Sequence, residues 1–165
     1  MTRHVLGAVS LAAALALLVG ATALADAGGQ GTVTSTQQLR NFPAFSEHLP
    51  NPCTGAMGTL TGTVKTAVFH VTSFTTGPEF WMTGTDEGVA TFTPDDPQGV
   101  SASGHFTEWF GESFNNKNDV QHFTSTFSLR GSDSSRIVVH ETAHFSINAN
   151  GVITVSFDNT GLHCG

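Results

Sequence analysis

The chain has 165 residues, and its 13 acidic residues outnumber its 6 lysines and arginines, giving a formal net charge of −7. Nucleic acids and anionic lipids require a basic face, so an acidic chain of this kind excludes both as the main partner. After an N-terminal export segment about 140 residues remain, which suits one domain with one core.

Residues 1–25 have the three parts of a secretory signal peptide. Arg3 and His4 form the positive start, residues 5–21 are almost wholly apolar, and Ala23-Leu24-Ala25 supplies the small residues that signal peptidase recognises. The apolar run is short for a spanning helix and no stop-transfer charges follow it. We therefore expect cleavage near residue 25, a secreted protein, and no membrane association afterwards.

Two cysteines remain, Cys53 and Cys164. An even pair near the two ends of an exported domain predicts a disulfide, which here closes a loop of 111 residues. By the chain-entropy argument such a bond contributes about 4–5 kcal/mol. The alternative, two reactive thiols, lacks a basic sequence neighbour to lower either thiol pKa.

Residues 26–55 are predicted to form a flexible leader and an extended segment, because prolines 43, 50 and 52 prevent any long helix. From residue 56 onward threonine, valine and phenylalanine dominate without a helical period. The predicted fold of residues 56–165 is all-β, a single antiparallel eight-stranded barrel, with a β-sandwich as the alternative. The barrel is preferred because closure removes exposed edges. The candidate strands are 58–65, 67–76, 79–84, 87–94, 100–110, 119–130, 136–148 and 152–158.

Strands 136–148 and 152–158 form a predicted hairpin whose loop length follows from matching the two apolar faces. A three-residue loop with Gly151 in the left-handed position places Ile147 opposite Ile153 and Phe145 opposite Val155.

Residues 140–144 read His-Glu-Thr-Ala-His, which fits the zinc signature of metalloproteases. That mechanism needs a helix, where two histidines four apart share one face and one metal. Here the surrounding residues alternate as in a strand, so His140 and His144 would lie about 13 Å apart with Glu141 on the opposite face. We therefore expect no zinc protease. A weaker metal alternative is a cross-strand pair of His122 and His144, against two solvated histidines.

Glu108 and Glu141 each fall on the apolar face of a predicted strand. Burial there would raise the pKa of each carboxyl, which suits a general acid or base. The same register places Ser125 beside Glu141 and Gln121 on the interior face. The structural alternative is a hydrogen-bonded core carboxyl, or one near a rim that reaches water.

Phenylalanine dominates the aromatic residues, with 13 phenylalanines, two tryptophans and no tyrosine. A barrel interior lined by phenylalanine with a few polar groups would hold a small apolar molecule, although most of these rings are expected in the core. Trp81 and Trp109 alternate with the phenylalanine face and would lie at the surface. No catalytic triad, phosphate loop or nucleotide motif is present, so we expect no cofactor. The predicted ligand-binding residues are Phe106, Phe110, Phe123, Phe127 and Phe145.

The five residues Asn51-Pro52-Cys53-Thr54-Gly55, the stretch 131–133 and the terminal Cys164-Gly165 resemble a group of small secreted actinobacterial proteins of unknown function. The resemblance covers most of the predicted mature chain and implies export, the disulfide and a β-barrel, but no activity. The inferred architecture is more loosely similar to allene oxide cyclase-like, dirigent and lipocalin barrels, which is a likeness of fold alone.

Three functional hypotheses follow from these features. The leading one is a secreted protein that binds a small apolar or amphipathic molecule in its interior. The second is a cofactor-free isomerase or cyclase in which Glu108 or Glu141 handles protons. The third is a non-enzymatic extracellular interaction protein that recognises an unidentified protein partner through Trp81 or Trp109.

Overall fold

A computed structural model describes residues 31–75 and 77–165, and the predicted signal peptide lies outside these residues. The described residues form one antiparallel sheet of seven strands and no helix, and each strand pairs with the next along the chain. The strands are β1 (Thr32–Pro50), β2 (Met57–Phe74), β3 (Phe80–Pro94), β4 (Ala102–Phe114), β5 (Asn118–Gly131), β6 (Arg136–Asn148) and β7 (Ile153–Cys164).

The all-β antiparallel class is confirmed, but the prediction of a closed eight-stranded barrel is wrong, as is the sandwich. Within the described residues β1 pairs only with β2 and β7 only with β6, so the single sheet stays open. The count falls to seven because two pairs of predicted strands merge into β2 and β3 while β1 is added. Residue 66 and residues 85–86, which separated the predicted strands, lie within continuous strands.

β1 occupies most of the segment that was predicted to be a leader and an extended stretch. Its prolines are compatible with a strand because β1 is at the edge of the sheet. An edge strand has a neighbour on one side only, so a proline without a backbone N–H can face the side that makes no hydrogen bonds. A bulge between Pro43 and Phe45 adjusts its pairing with β2. Residues 31–41 are exposed, whereas Phe42 and Phe45 pack against the core.

The two faces of the sheet differ in polarity because alternate residues point to opposite sides. We call the face that carries Ala67, Asp86, Glu108, Ser125 and Glu141 the inner face, and the opposite face the outer face. Within the described residues, the nine buried apolar side chains of the core all lie on the inner face. They are Val64, Ala67, Phe69, Ala90, Phe92, Ala102, Phe106, Leu129 and Ile137.

One end of the curved sheet is held together by the predicted disulfide between Cys53 and Cys164, which is confirmed with its Cα atoms 5.8 Å apart. At this end Phe45 of β1 reaches across the inner face, its ring centroid 5.6 Å from that of Phe106 and 6.0 Å from that of Phe127. Asn51 shapes the turn before the disulfide, because its Oδ1 accepts hydrogen bonds from the backbone N–H groups of Cys53 and Thr54. β7 is exposed along its whole length, so the inner face opens toward that edge.

The β6–β7 hairpin has the predicted loop, with Gly151 at φ 74° and Ile147 opposite Ile153. The predicted pairing of Phe145 with Val155 is wrong, because a bulge between Ser146 and Ile147 shifts the register and places Phe145 opposite Ser156. The shift turns the polar residues of β7 toward the inner face. They are Ser156, Asp158 and Thr160.

No helix in the described residues is long and apolar enough to cross a membrane.

Candidate functional site

Four polar side chains form one row across the inner face, which we call the carboxyl row. Asp86 of β3 lies opposite Glu108 of β4, Glu108 opposite Ser125 of β5, and Ser125 opposite Glu141 of β6. Neighbouring strands lie about 4.8 Å apart, so the row spans about 14 Å. It therefore gathers three carboxyls and one hydroxyl from four strands within the reach of one small molecule.

Asp86 and Glu108 form the buried end of the carboxyl row, with only 8% and 6% of their surfaces exposed. Burial raises the pKa of Glu108 to about 8, and the charge of Asp86, a hydrogen bond with Asp86 and the charge of Glu141 add to this effect. Burial also raises the pKa of Asp86 to about 6, against the lowering effect of the Glu108 hydrogen bond. With pKa values of about 8 and about 6, the pair holds one proton at neutral pH, on Glu108, and Asp86 is ionised.

One oxygen of this pair has no partner. Asp86 Oδ1 is buried and accepts no hydrogen bond within the described residues. A buried acceptor without a donor is costly, and native proteins usually satisfy such groups with water or a ligand. The pair thus presents an unused acceptor on the inner face.

Glu141 forms the accessible end of the carboxyl row, where its side chain is half-buried. Burial and, secondarily, the charge of Asp158 raise its pKa. Ser125 lies between Glu108 and Glu141 and is almost fully buried, with 2% of its surface exposed. The predicted positions of Glu108, Glu141 and Ser125 on the inner face are confirmed, whereas their roles remain predictions.

The five predicted ligand-binding phenylalanines all lie on the inner face, but Phe106 belongs to the core and Phe110 and Phe127 pack against it. Phe106 has 1% of its surface exposed and stacks on Phe127 with ring centroids 5.5 Å apart. Phe110, Phe123 and Phe145 are half-buried and lie beyond the carboxyl row, away from the disulfide. Phe110 and Phe123 lie in the row directly beside the carboxyls, and Phe145 lies one row further along β6, so the three rings form an apolar surface next to the carboxyl row.

A second polar pair lies in the row beyond Phe110 and Phe123, where Glu112 is opposite Gln121 and Gln121 is opposite Phe145. Burial and the charge of Asp119 raise the pKa of Glu112, against the lowering effect of a hydrogen bond from Gln121. Asp119 Oδ1 is a second buried oxygen without a hydrogen-bond partner in the described residues. Gln121 occupies the inner face as predicted.

Charge is segregated between the two faces. The paired inner positions of β3 to β7 contain six acidic residues and no lysine, arginine or histidine. The basic residues of these strands lie on the outer face. There Arg130 and Arg136 are directly opposite each other. Together with His105 they line a groove of about 580 Å³. A cation would therefore find complementary charge on the inner face, and an anion would not.

The His140–His144 motif lies in strand β6, so its geometry differs from that of a zinc protease. His140 and His144 are on the outer face, and Glu141 is on the inner face. Thr126 Oγ1 is 2.9 Å from His140 Nδ1, whereas His144 faces His122, as the weaker metal alternative predicted. No group of three or more potential metal ligands occurs in the part of the chain that the structure describes.

Both tryptophans lie on the outer face, as expected. Trp81 is 56% exposed and packs edge-on against Phe74, and Trp109 is 44% exposed.

Sequence reasoning missed Asp86, which was placed in a gap between two predicted strands. The residues around it alternate between a small or apolar set, Gly84, Gly88, Ala90 and Phe92, and a mostly polar set on the other face. Asp86 lies an even number of residues from each member of the small and apolar set, so it points to the same face. This alternation was the signal in the sequence for a carboxyl on the inner face.

Comparison with protein families, with curated proteins and with solved structures finds no match to this chain.

Proposed function

We propose that the protein is a secreted binding protein whose inner face takes a small amphipathic molecule with a cationic head group. The observation that carries this proposal is the charge of the inner face, where three carboxyls form one row without a basic residue beside them. The head group would lie at the carboxyl row and the apolar part against Phe110, Phe123 and Phe145. The disulfide is compatible with an extracellular location.

The buried carboxyl pair supports a cationic ligand in particular. Asp86 Oδ1 needs a donor, and an ammonium group supplies three. An adjacent cation would favour the ionised forms of Asp86 and Glu108, offsetting the burial that raises both pKa values. Binding should therefore release a proton from Glu108 at neutral pH.

Three probes with the same alkyl chain test this proposal: octylamine, octanol and octanoate, titrated into the protein by calorimetry. Octylamine should bind most tightly and octanoate least, because only the head-group charge differs among them. The affinity for octylamine should rise between pH 5 and pH 8 as Asp86 and Glu108 become easier to ionise. The amine itself stays protonated throughout this range.

Two variants connect this binding to the carboxyl row. Glu108→Gln and Glu141→Gln should each weaken octylamine binding and reduce the proton release, which is measured by repeating the titration in buffers of different ionisation enthalpy. Glu87→Gln is the matched control, because Glu87 is exposed on the outer face beside Asp86 in sequence. Equal affinities for the amine and the carboxylate, or an equal loss in the Glu87 control, would contradict the proposal.

A second candidate function is a cofactor-free isomerase or cyclase, favoured by the protonated Glu108 and by Ser125 between two carboxyls. The test compares molecules that co-purify with the wild type and with a Glu108→Gln, Glu141→Gln double variant from the culture medium of a secreting host. An enzyme would carry product in the wild type and unreacted substrate in the variant, which native mass spectrometry and chromatography distinguish. The same molecule in both proteins would argue against catalysis by these carboxyls.

A further inference from the structure

Two histidines face each other on the outer face, on the opposite side of the sheet from the carboxyl row. His122 of β5 is the register partner of His144 of β6, and their ring centroids are 4.2 Å apart. Their Nδ1 atoms are 2.8 Å apart, so one nitrogen donates a hydrogen bond to the other. His122 is exposed and His144 is half-buried, which leaves both rings accessible to a dissolved ion.

The separation of the two nitrogens matches a pair of ligands on one metal ion. Two imidazole nitrogens bound about 2.0 Å from a metal at an angle of about 90° lie about 2.8 Å apart. This angle belongs to the tetragonal geometry of Cu²⁺, whereas a tetrahedral Zn²⁺ site would need a separation of about 3.3 Å. The paired strands therefore hold the two nitrogens at the separation of neighbouring Cu²⁺ ligands, and the metal would replace the hydrogen bond between them once the bridging proton moves to Nε2 of its ring.

We propose that His122 and His144 form a two-histidine site for Cu²⁺, with water completing the coordination. Among divalent first-row metals Cu²⁺ binds nitrogen ligands most tightly, so it should be preferred to Ni²⁺ and Zn²⁺. The site neither requires nor blocks ligand binding on the inner face.

The neighbours in the same row leave the pair free to bind. Gly111 lies on the β4 side of His122 and Phe157 on the β7 side of His144. Neither side chain brings a charge or a hydrogen-bonding group that would compete for the imidazole nitrogens. The nearby Trp109 ring, 6.4 Å from the His122 ring, provides a fluorescent reporter beside the site.

The test is a titration of the full secreted chain with Cu²⁺ in a Trp81→Phe background, so that Trp109 is the only emitter. We expect saturable quenching at one Cu²⁺ per chain, reversed by EDTA and by acid, because metal binding requires unprotonated nitrogens. His122→Ala and His144→Ala should each abolish quenching at Cu²⁺ concentrations that saturate the parent. His140→Ala is the control, because His140 lies on the same strand about 13 Å from His144.

The proposal is overturned if the parent is not quenched, if both alanine variants are quenched as strongly as the parent, or if the His140 control loses quenching equally. His122→Gln and His144→Gln provide variants of similar size if the alanine variants unfold, as judged by circular dichroism. Electron paramagnetic resonance of Cu²⁺ on the unmodified chain is an independent measurement. It should show two equivalent imidazole nitrogens, and fewer than two would also overturn the proposal.

Discussion

Glu108→Gln should change how stability depends on pH, because the folded protein holds the Glu108 proton that the unfolded chain releases. The pKa of Glu108 is about 8 in the folded protein against an ordinary value of 4.5. Between these values the native state binds more protons than the unfolded state, so the free energy of unfolding falls as pH rises. At about 1.4 kcal/mol per pH unit, the decrease between pH 5 and pH 8 is about 4 kcal/mol.

The assay is urea denaturation of the disulfide-intact protein at pH 5, 6, 7 and 8. In the Glu108→Gln variant the decrease above pH 6 should be largely absent, because the amide does not titrate yet still donates to Asp86. Glu87→Gln controls for the change in net charge and should retain the wild-type slope. A wild-type free energy of unfolding that is flat from pH 5 to pH 8 would refute the reasoning, and so would a Glu108→Gln variant with the wild-type slope.

Two further substitutions test the packing and the backbone by the same urea assay. Phe106→Ala should lower the free energy of unfolding by about 3–5 kcal/mol, because Phe106 is fully buried between Phe45 and Phe127. Phe157→Ala, at a ring that is 52% exposed, should cost much less, and equal losses would contradict the assigned core. Gly151→Ala should cost about 1 kcal/mol because its φ is 74°. Gly161→Ala should be nearly neutral, since an added Cβ there meets only a backbone oxygen 3.8 Å away.

Many residues of the inner face could be predicted from the sequence, because side chains alternate between the two faces along every strand. Phe106, Glu108 and Phe110 point to one side whatever lies next to β4, since alternate residues of a pleated strand face opposite ways. The register of β5 with β6 was also accessible, because a short loop joins the two strands and their apolar faces must agree. The prediction that His122 lies opposite His144 followed from these two constraints.

The predicted strand count was wrong because the predicted strands were separated at residue 66 and at residues 85–86, which lie within β2 and β3. Thr85-Asp86-Glu87 is polar and lies between two glycines, yet β3 continues through it. A glycine is required at such positions for a tertiary reason: a Cβ at Gly84 would collide with the Phe110 ring on β4, and one at Gly88 with the Phe106 ring. Glycines that make room for aromatic rings on a neighbouring strand cannot be told from turn glycines without that neighbour.

The sequence by itself determined the all-β class, the disulfide partners and the faces of Glu108 and Glu141, because these depend on local alternation or on having only two cysteines. Only the tertiary structure decided that Asp86 is the partner of Glu108, and that the sheet stays open along β7. The pairing depends on the register across the β3–β4 connection. Whether the sheet stays open depends on the twist and the bulges of all seven strands together. One of these bulges is the register shift after Ser146, which turns Asp158 toward the inner face. Such quantities belong to the assembled sheet and are not encoded in any one strand.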